Sequence, residues 1–257
     1  MTNRHWYDWG MATSLPSLQP AFVLHRRDYR NTSLLLELFA LHDGRLPVIA
    51  KGAKAARGGR SALLQPFRPL LVGLAGRGEI RTLTQVEAEG QAFELPGRLL
   101  YCGFYLNELL MRLLGRHDPH PDLFGHYLQT LGSLAAGEAL DASLRDFEVQ
   151  MLTALGYALS LTHDSESGEP VRNEAVYEYI LEQGPIGVAG PVDANRMRVH
   201  GRTLLSLHNR QAMDQETLAE AKGLMRRVLA FHLGDKPLKS RELFRGYNPI
   251  GEKNGTE

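Results

Sequence analysis

The feature that most constrains this 257-residue chain is a change of hydrophobic period near Pro96. Before it, apolar residues come in short runs or alternate, as strands require; after it they recur every three or four residues, as buried helix faces require. Ala21-Phe22-Val23-Leu24 reads as one short strand and Leu34 to Leu41 as a second, with Asp43-Gly44 as the hairpin turn into a third, Arg45 to Ala50. Phe67 to Ala75 makes a fourth. In the fifth, Ile80, Thr82, Thr84 and Val86 alternate with Arg81, Leu83, Gln85 and Glu87, the period of two of a half-exposed strand. Five short strands joined by turns predict a small closed barrel. The OB-fold is the commonest such barrel that binds nucleic acid.

Past Pro96, Leu99, Cys102/Gly103, Leu106, Leu109/Leu110 and Leu113 form one helical stripe. A second helix begins near Pro119 and Pro121 and uses Phe124, Tyr127/Leu128, Leu131 and Leu134. A third, from about Leu140, uses Leu144, Phe147, Met151 and Leu155, and Gly156 stands where a C′ glycine belongs. Residues 157–200 are loop-rich, and Val176–Leu181 is expected to pair with a strand within Val188–Val199 as a small ribbon. The last strong helix starts at Asp214, an N-cap, and ends at Gly234. The expected class is therefore α+β: an N-terminal OB-fold barrel over 19–95, then a C-terminal α-helical bundle over 96–245 with a loop and ribbon insertion near 160–200. Residues 1–18 read as a poorly ordered extension and 246–257 as a tail.

The charged content of 23% and hydrophobic content of 43% are those of a globular chain rather than a disordered one. No stretch approaches a membrane span, the N-terminus lacks the apolar core of a signal peptide, and a reducing compartment fits the single cysteine; the expectation is a cytoplasmic protein. Catalysis finds no foothold. There is no phosphate loop of the G-x-x-x-x-G-K-[ST] kind and no H-E-x-x-H, and Gly76-Arg77-Gly78 lacks the third glycine of a dinucleotide site. His163-Asp164-Ser165 contains the residue types of a triad, but adjacent residues cannot adopt triad geometry, and a polar turn explains them. The histidines are scattered without metal-ligand spacing, and Cys102 lies on an apolar helix face as a buried thiol. Asp141, Asp146 and Glu148 could be claimed for a metal-dependent nuclease, but their helical spacing reads as a solvated face. The expectation is a non-enzymatic protein without cofactor or metal.

Net charge is zero, but its distribution is not uniform. Eleven cations face four acids between Arg26 and Arg81, ten acids face two cations between Glu138 and Glu182, and seven cations face two acids between Lys222 and Arg245. In Lys51-Gly-Ala-Lys54-Ala-Ala-Arg57-Gly-Gly-Arg60, cations alternate with small residues just after a barrel strand. Small residues allow close approach to phosphates, and the cations release condensed counterions on binding. Arg26, Arg27, Arg68, Arg77 and Arg81 lie on neighbouring barrel elements, and Lys236, Lys239, Arg241 and Arg245 form a second cationic segment. These thirteen residues are the candidate DNA contacts. Stacking aromatics complete such a groove; Phe22 and Phe39 read as core, leaving Tyr29 and Phe67 as candidates.

Ala21-Phe-Val-Leu-His25, Ala50-Lys-Gly-Ala53, Leu64-Gln-Pro-Phe-Arg-Pro-Leu-Leu71, Tyr105-Leu-Asn-Glu-Leu-Leu110, Leu155-Gly-Tyr157 and Pro237-Leu-Lys-Ser-Arg-Glu-Leu-Phe244 resemble, in order, the RecO family of DNA repair proteins in its enterobacterial-like branch. The resemblance implies an OB domain followed by a helical domain. It implies binding to single- and double-stranded DNA, annealing of complementary strands, partnership with RecR, contact with the acidic tail of the single-strand-binding protein SSB, and assistance to RecA loading. Many members carry four zinc-binding cysteines after the third helix; Leu161 to Val171 has none, so zinc is not carried over. An acidic tail ending in an apolar residue needs a greasy pocket rimmed by cations, and Leu109, Arg112, Leu113 and Arg116 are the expected SSB-tail site. An RNA-binding OB module is the alternative reading; charge alone does not separate the two.

Overall fold

The computed structural model describes residues 18–55, 60–188 and 197–240. Strands β1 (Gln19–Tyr29), β2 (Ser33–Ala40), β3 (Gly44–Ala50), β4 (Leu70–Ala75) and β5 (Arg81–Ala88), with the one-turn helix α1 (Arg60–Leu63) between β3 and β4, close a barrel in the order β1-β2-β3-β5-β4. All pairings are antiparallel except β3 with β5. A five-stranded barrel of this kind is the OB architecture. Ala21, Val23, Leu34, Leu36, Leu38, Leu46, Val48, Leu70, Val72 and Leu83 point inward, joined by Leu64 just after α1.

Three strands depart from the sequence reading. β1 runs for eleven residues because its polar second half still pairs with β2, down to Tyr29 opposite Ser33. β4 starts at Leu70 rather than Phe67: Phe67 takes φ +63° and turns its ring onto Phe104, with centroids 5.2 Å apart. In β5 the inward residue is Leu83, not the threonines, because a bulge opposite Gly73 and Leu74 inserts Thr84 and reverses the alternation before Val86.

The helical region comprises α2 (Arg98–Leu113), α3 (Pro121–Ala135), α4 (Leu140–Ala154), β6 (Val176–Ile180), β7 (Gly184–Gly187), β8 (Arg198–His200), α5 (Gly201–Asn209) and α6 (Gln215–Leu233). Gly156 takes φ +83° after α4, and Asp214 accepts the Thr217 amide at 2.8 Å as the N-cap of α6. The expected ribbon is present, since Tyr177 and Glu178 pair with Val199 and Arg198, but a further strand on the other edge makes it a three-stranded sheet, β7-β6-β8. Its hairpin partner for β6 is the Gly184–Gly187 segment, which has too little apolar alternation to signal a strand; part of the expected second strand, 189–196, lies outside the described residues. Helix α5 was not foreseen. It is nine residues long and starts directly from β8, where Gly201 packs so closely that a Cβ would stand 1.9 Å from the Arg172 carbonyl oxygen.

The barrel interior and the helical region have separate cores that meet at β1. β1 is buried on both faces: Ala21 and Val23 face the barrel, while Phe22 and Leu24 face the helices. Phe22 meets Phe124 at 5.4 Å and Tyr127 edge-on at 5.0 Å, and Phe39 of β2 meets Phe124 at 5.3 Å. A bulge at Leu24 turns its carbonyl out of the ladder, and the buried Asn107 amide donates to it at 2.9 Å. The Tyr127 hydroxyl donates to the Asn107 side-chain oxygen at 2.5 Å. Burial pushes the Tyr127 phenol far above its ordinary range, so it remains a donor.

The polar turn expected at His163-Asp164-Ser165 is organised by Asp164. Its carboxylate, nine-tenths buried, accepts the amides of Ser167 and Glu166, each at 2.9 Å, and that of Gly187 at 2.5 Å. The Ser167 amide above all holds the carboxyl below its ordinary value.

Two outcomes follow. Asn107→Leu leaves the Leu24 carbonyl and Tyr127 hydroxyl buried without partners and is expected to cost about 2–4 kcal/mol in denaturant unfolding; an unchanged midpoint would contradict the role given to this amide. Asp164→Asn is expected to lower the melting temperature by about 2–4 °C at pH 7. A depressed carboxyl stabilises above its unfolded value of about 3.9 and loses that contribution as pH falls through its folded value, so the difference between the two proteins should shrink below about pH 4.

Candidate nucleic-acid interface

The outer face of β1, β2 and β3 forms the floor of a hollow of about 350 Å³, lined by His25, Arg27, Leu35, Glu37 and Pro47. Glu79 and Ile80 of the β4–β5 loop, the latter 50% exposed, and Met111 of α2 and Arg116 border it, with Arg116 paired to Glu79 at 2.7 Å. OB barrels hold oligonucleotides on this strand 2–3 face beside the loop between strands 4 and 5. The α2–α3 connector is fixed to the barrel rim: the His117 amide donates to the Arg45 carbonyl at 2.8 Å, and Arg45 Nε donates to the Leu114 carbonyl at 3.0 Å. Gly44, at φ +66°, lies under this connector, where a Cβ would stand 2.2 Å from the Asp118 carbonyl oxygen. A side chain at position 44 would lift the connector off the rim.

The thirteen DNA candidates separate by what they touch. Arg27, Lys51, Arg60 and Arg77 are exposed and form no ion pair among the described residues. Arg27 faces the hollow. Arg26 points the other way, donating to the Ser61 carbonyl at 3.0 Å and more weakly to that of Leu64, and so fastens α1 to the barrel. Lys54 pairs with Asp28 at 2.6 Å and Arg81 with Asp43 at 2.9 Å. Arg68 is half-buried. Lys236 and Lys239 are exposed beyond α6, whereas Arg57, Arg241 and Arg245 lie outside the described residues. Of the two stacking candidates, Phe67 is buried at 5% exposure and is withdrawn: its positive φ aims the ring inward. Tyr29 is half-buried, with the Arg30 guanidinium 5.3 Å above its ring.

The four residues expected to hold an acidic tail are not brought together. Leu109 is fully buried in the helical core. Arg112 donates to the carbonyls of Leu233 at 2.7 Å, Lys236 at 2.6 Å and Pro237 at 3.2 Å, capping the end of α6. Arg116 pairs with Glu79 at 2.7 Å on the groove side, and Leu113 is half-buried. Helical spacing puts these residues near one another on α2 but does not reveal that two are consumed by packing and capping.

A pocket of the anticipated chemistry opens elsewhere, between α2, α4 and α6. It has a volume of about 280 Å³, apolar walls from Cys102, Leu140 and Leu144, and a rim of Arg98, Lys222 and Arg226, with Asp141 3.7 Å from the Lys222 ammonium. At its base Arg145 pairs with the fully buried Glu148, which also accepts from the Tyr105 hydroxyl. Glu148 is thus not on a solvated face as its spacing suggested; its charge is met by Arg145 inside the bundle. Burial pushes the Cys102 thiol up to about 11, so it stays protonated. The only sequence signal for the pocket was Lys222 and Arg226, four apart on one face of α6.

No helix among the described residues is long and apolar enough to cross a membrane. The sequence family described as Recombination protein O N terminal matches residues 15–91, and that described as Recombination protein O C terminal matches residues 97–242. The DNA repair protein RecO of Methylococcus capsulatus is 54% identical over 89% of this chain and 93% of its own. The DNA repair protein RecO of Nitrosococcus oceani is 46% identical over 93% of this chain and 97% of its own, and that of Pasteurella multocida 45% identical over 92% and 98%.

Proposed function

The chain belongs to the RecO family of DNA repair and recombination proteins, and we propose that it acts without catalysis, binding single- and double-stranded DNA and annealing complementary strands. In this reading it works in the cytoplasm on the nucleoid, with RecR and SSB as partners, and assists RecA loading. The observation that carries the DNA-binding proposal is the barrel hollow: an OB face with Arg27 in it, and Lys51, Arg60 and Arg77 on the same barrel, exposed and without an ion pair among the described residues. Cations already paired with Asp28 or Asp43 must break those pairs before they can serve phosphates, so the free ones dominate counterion release. Ile80 on the loop and Tyr29 at the far end of β1 offer surfaces for bases.

Contact with the SSB tail fits the pocket between α2, α4 and α6 better than the α2 end. An acidic peptide with an apolar last residue would place that residue against Leu140 and Leu144 and its carboxylates toward Arg98, Lys222 and Arg226.

The DNA reading is tested by titrating a fluorescent single-stranded oligonucleotide at several salt concentrations with wild type and with a variant carrying Arg27→Glu, Lys51→Glu and Arg77→Glu. Loss of three phosphate contacts is expected to flatten the logarithmic salt slope by about 2 and to weaken binding by at least tenfold at low salt. A slope equal to that of wild type would remove the barrel face from the DNA site. Matched RNA competing more strongly than DNA would favour the RNA-binding alternative, since readers that demand RNA use the 2′-hydroxyl. For the tail, Lys222→Glu with Arg226→Glu is expected to abolish capture by an SSB tail peptide while leaving DNA binding in place. Undiminished capture would return the tail to another surface.

A further inference from the structure

One aromatic cluster belongs neither to the barrel hollow nor to the cationic pocket. Tyr157, just past α4, and Phe231, near the end of α6, are 51% and 49% exposed. Both rest on His232: the Tyr157 ring lies 4.3 Å from the imidazole at 33°, and the Phe231 ring 5.3 Å from it at 82°. They border a hollow of about 250 Å³ floored by Tyr179, Leu181 and Val228. Burial holds the imidazole below its ordinary value, so the ring is neutral at neutral pH and offers a π face rather than a charge. Leu155-Gly156-Tyr157 is among the segments that carry the family resemblance, yet neither the groove nor the pocket uses Tyr157.

The surrounding charge indicates the occupant. Arg227 is exposed one turn before Phe231 on the same side of α6. Beyond the helix, Lys236 and Lys239 are exposed, and Arg112 holds this segment against the end of α2 through the Lys236 and Pro237 carbonyls. Glu108, also on α2, accepts the amides of Lys239 and Ser240 at 2.8 Å each. The neighbouring Met111 lines the barrel hollow. The exposed cations Arg227, Lys236 and Lys239 thus accompany the segment that runs from the rings to the end of α2, with Asp235 among them. Glu182 is the carboxylate at the edge of the ring hollow. A polyanion with flat apolar faces matches this arrangement, because base stacking on aromatics and phosphate contact with cations act together.

We propose that Tyr157, Phe231 and His232 form a second base-stacking shelf for single-stranded nucleic acid, occupied by a strand that leaves the barrel groove past Lys236 and Lys239. The inference rests on the reading of the barrel hollow as a single-strand site. A strand long enough to reach the shelf gains stacking that a short one does not.

The test uses the full chain, oligothymidylates of roughly 8 and roughly 25 nucleotides, the shorter within the span of one OB fold, and the double variant Tyr157→Ala, Phe231→Ala. The variant is expected to bind the short strand as wild type does and the long strand at least tenfold more weakly. The variant Tyr157→Phe, Phe231→Tyr, which keeps both rings, is expected to bind the long strand as wild type does. Wild-type affinity of the alanine variant at both lengths overturns the shelf, leaves the groove reading standing and assigns the rings to a protein partner. Equal weakening at both lengths also overturns it, because the rings would then act through the fold. Failure of wild type to bind either strand overturns the groove reading, and the shelf with it.

Discussion

Everything in this molecule hangs on a strand buried on both faces. β1 gives Ala21 and Val23 to the barrel and Phe22 and Leu24 to the helices, so neither layer can be removed without exposing the other's core. Through Leu24 the strand has no solvent face on which to turn a stray carbonyl, yet the bulge at Leu24 creates one. Asn107 resolves the conflict by donating to that carbonyl while accepting from Tyr127, whose ring packs edge-on against Phe22. The polar network sits inside the aromatic contact and fixes the register of α2 and α3 on the barrel. Since α2 supplies Met111 to the border of the groove, the geometry of the outer face depends on an amide buried beneath it.

The same rigidity decides which charges are available. A cation count treats Arg26, Lys54, Arg81 and Arg112 as equals of Arg27 and Lys51. In the fold, Arg26 fastens α1, Arg112 caps α6, and Lys54 and Arg81 each face an aspartate. An arginine that satisfies two or three carbonyls is committed, because withdrawing it leaves acceptors unpaired as well as forfeiting its own bonds. An exposed pair such as Lys54 with Asp28 is weak and exchanges readily with phosphate. The available charge therefore grades from the free residues through the exposed pairs to the committed arginines.

Much of the fold was legible in the sequence, because two strong periods meet at one boundary. The five barrel strands, the first three large helices, the Asp214 cap and the Gly156 terminus all follow from spacing and capping chemistry. What was illegible involved single residues that break a period: Thr84 inserted into β5, Phe67 at positive φ, and Gly201 held against a carbonyl. α5 and β7 escaped because their apolar content is too small to show a pattern over four to nine residues. The site was less legible than the fold. Spacing along α2 placed Leu109, Arg112, Leu113 and Arg116 together, but it carries no information on which of them the packing uses up. The cationic pocket draws on α2, α4 and α6, and no local window contains it.

Arg112 ties these levels together. Its reach from α2 to three carbonyls at the end of α6 closes the helical layer and holds the Lys236–Pro237 segment against the end of α2. A residue that looked like a ligand for a partner clamps α2 to a segment 124 residues further along the chain. On the proposed path of the strand, charge that appears in the sequence as basic blocks at either end of an acidic middle is drawn on from both blocks. Three acids of the middle block, all on α4, are met by cations of the bundle: Glu148 by Arg145, Asp146 by Arg210 and Asp141 by Lys222.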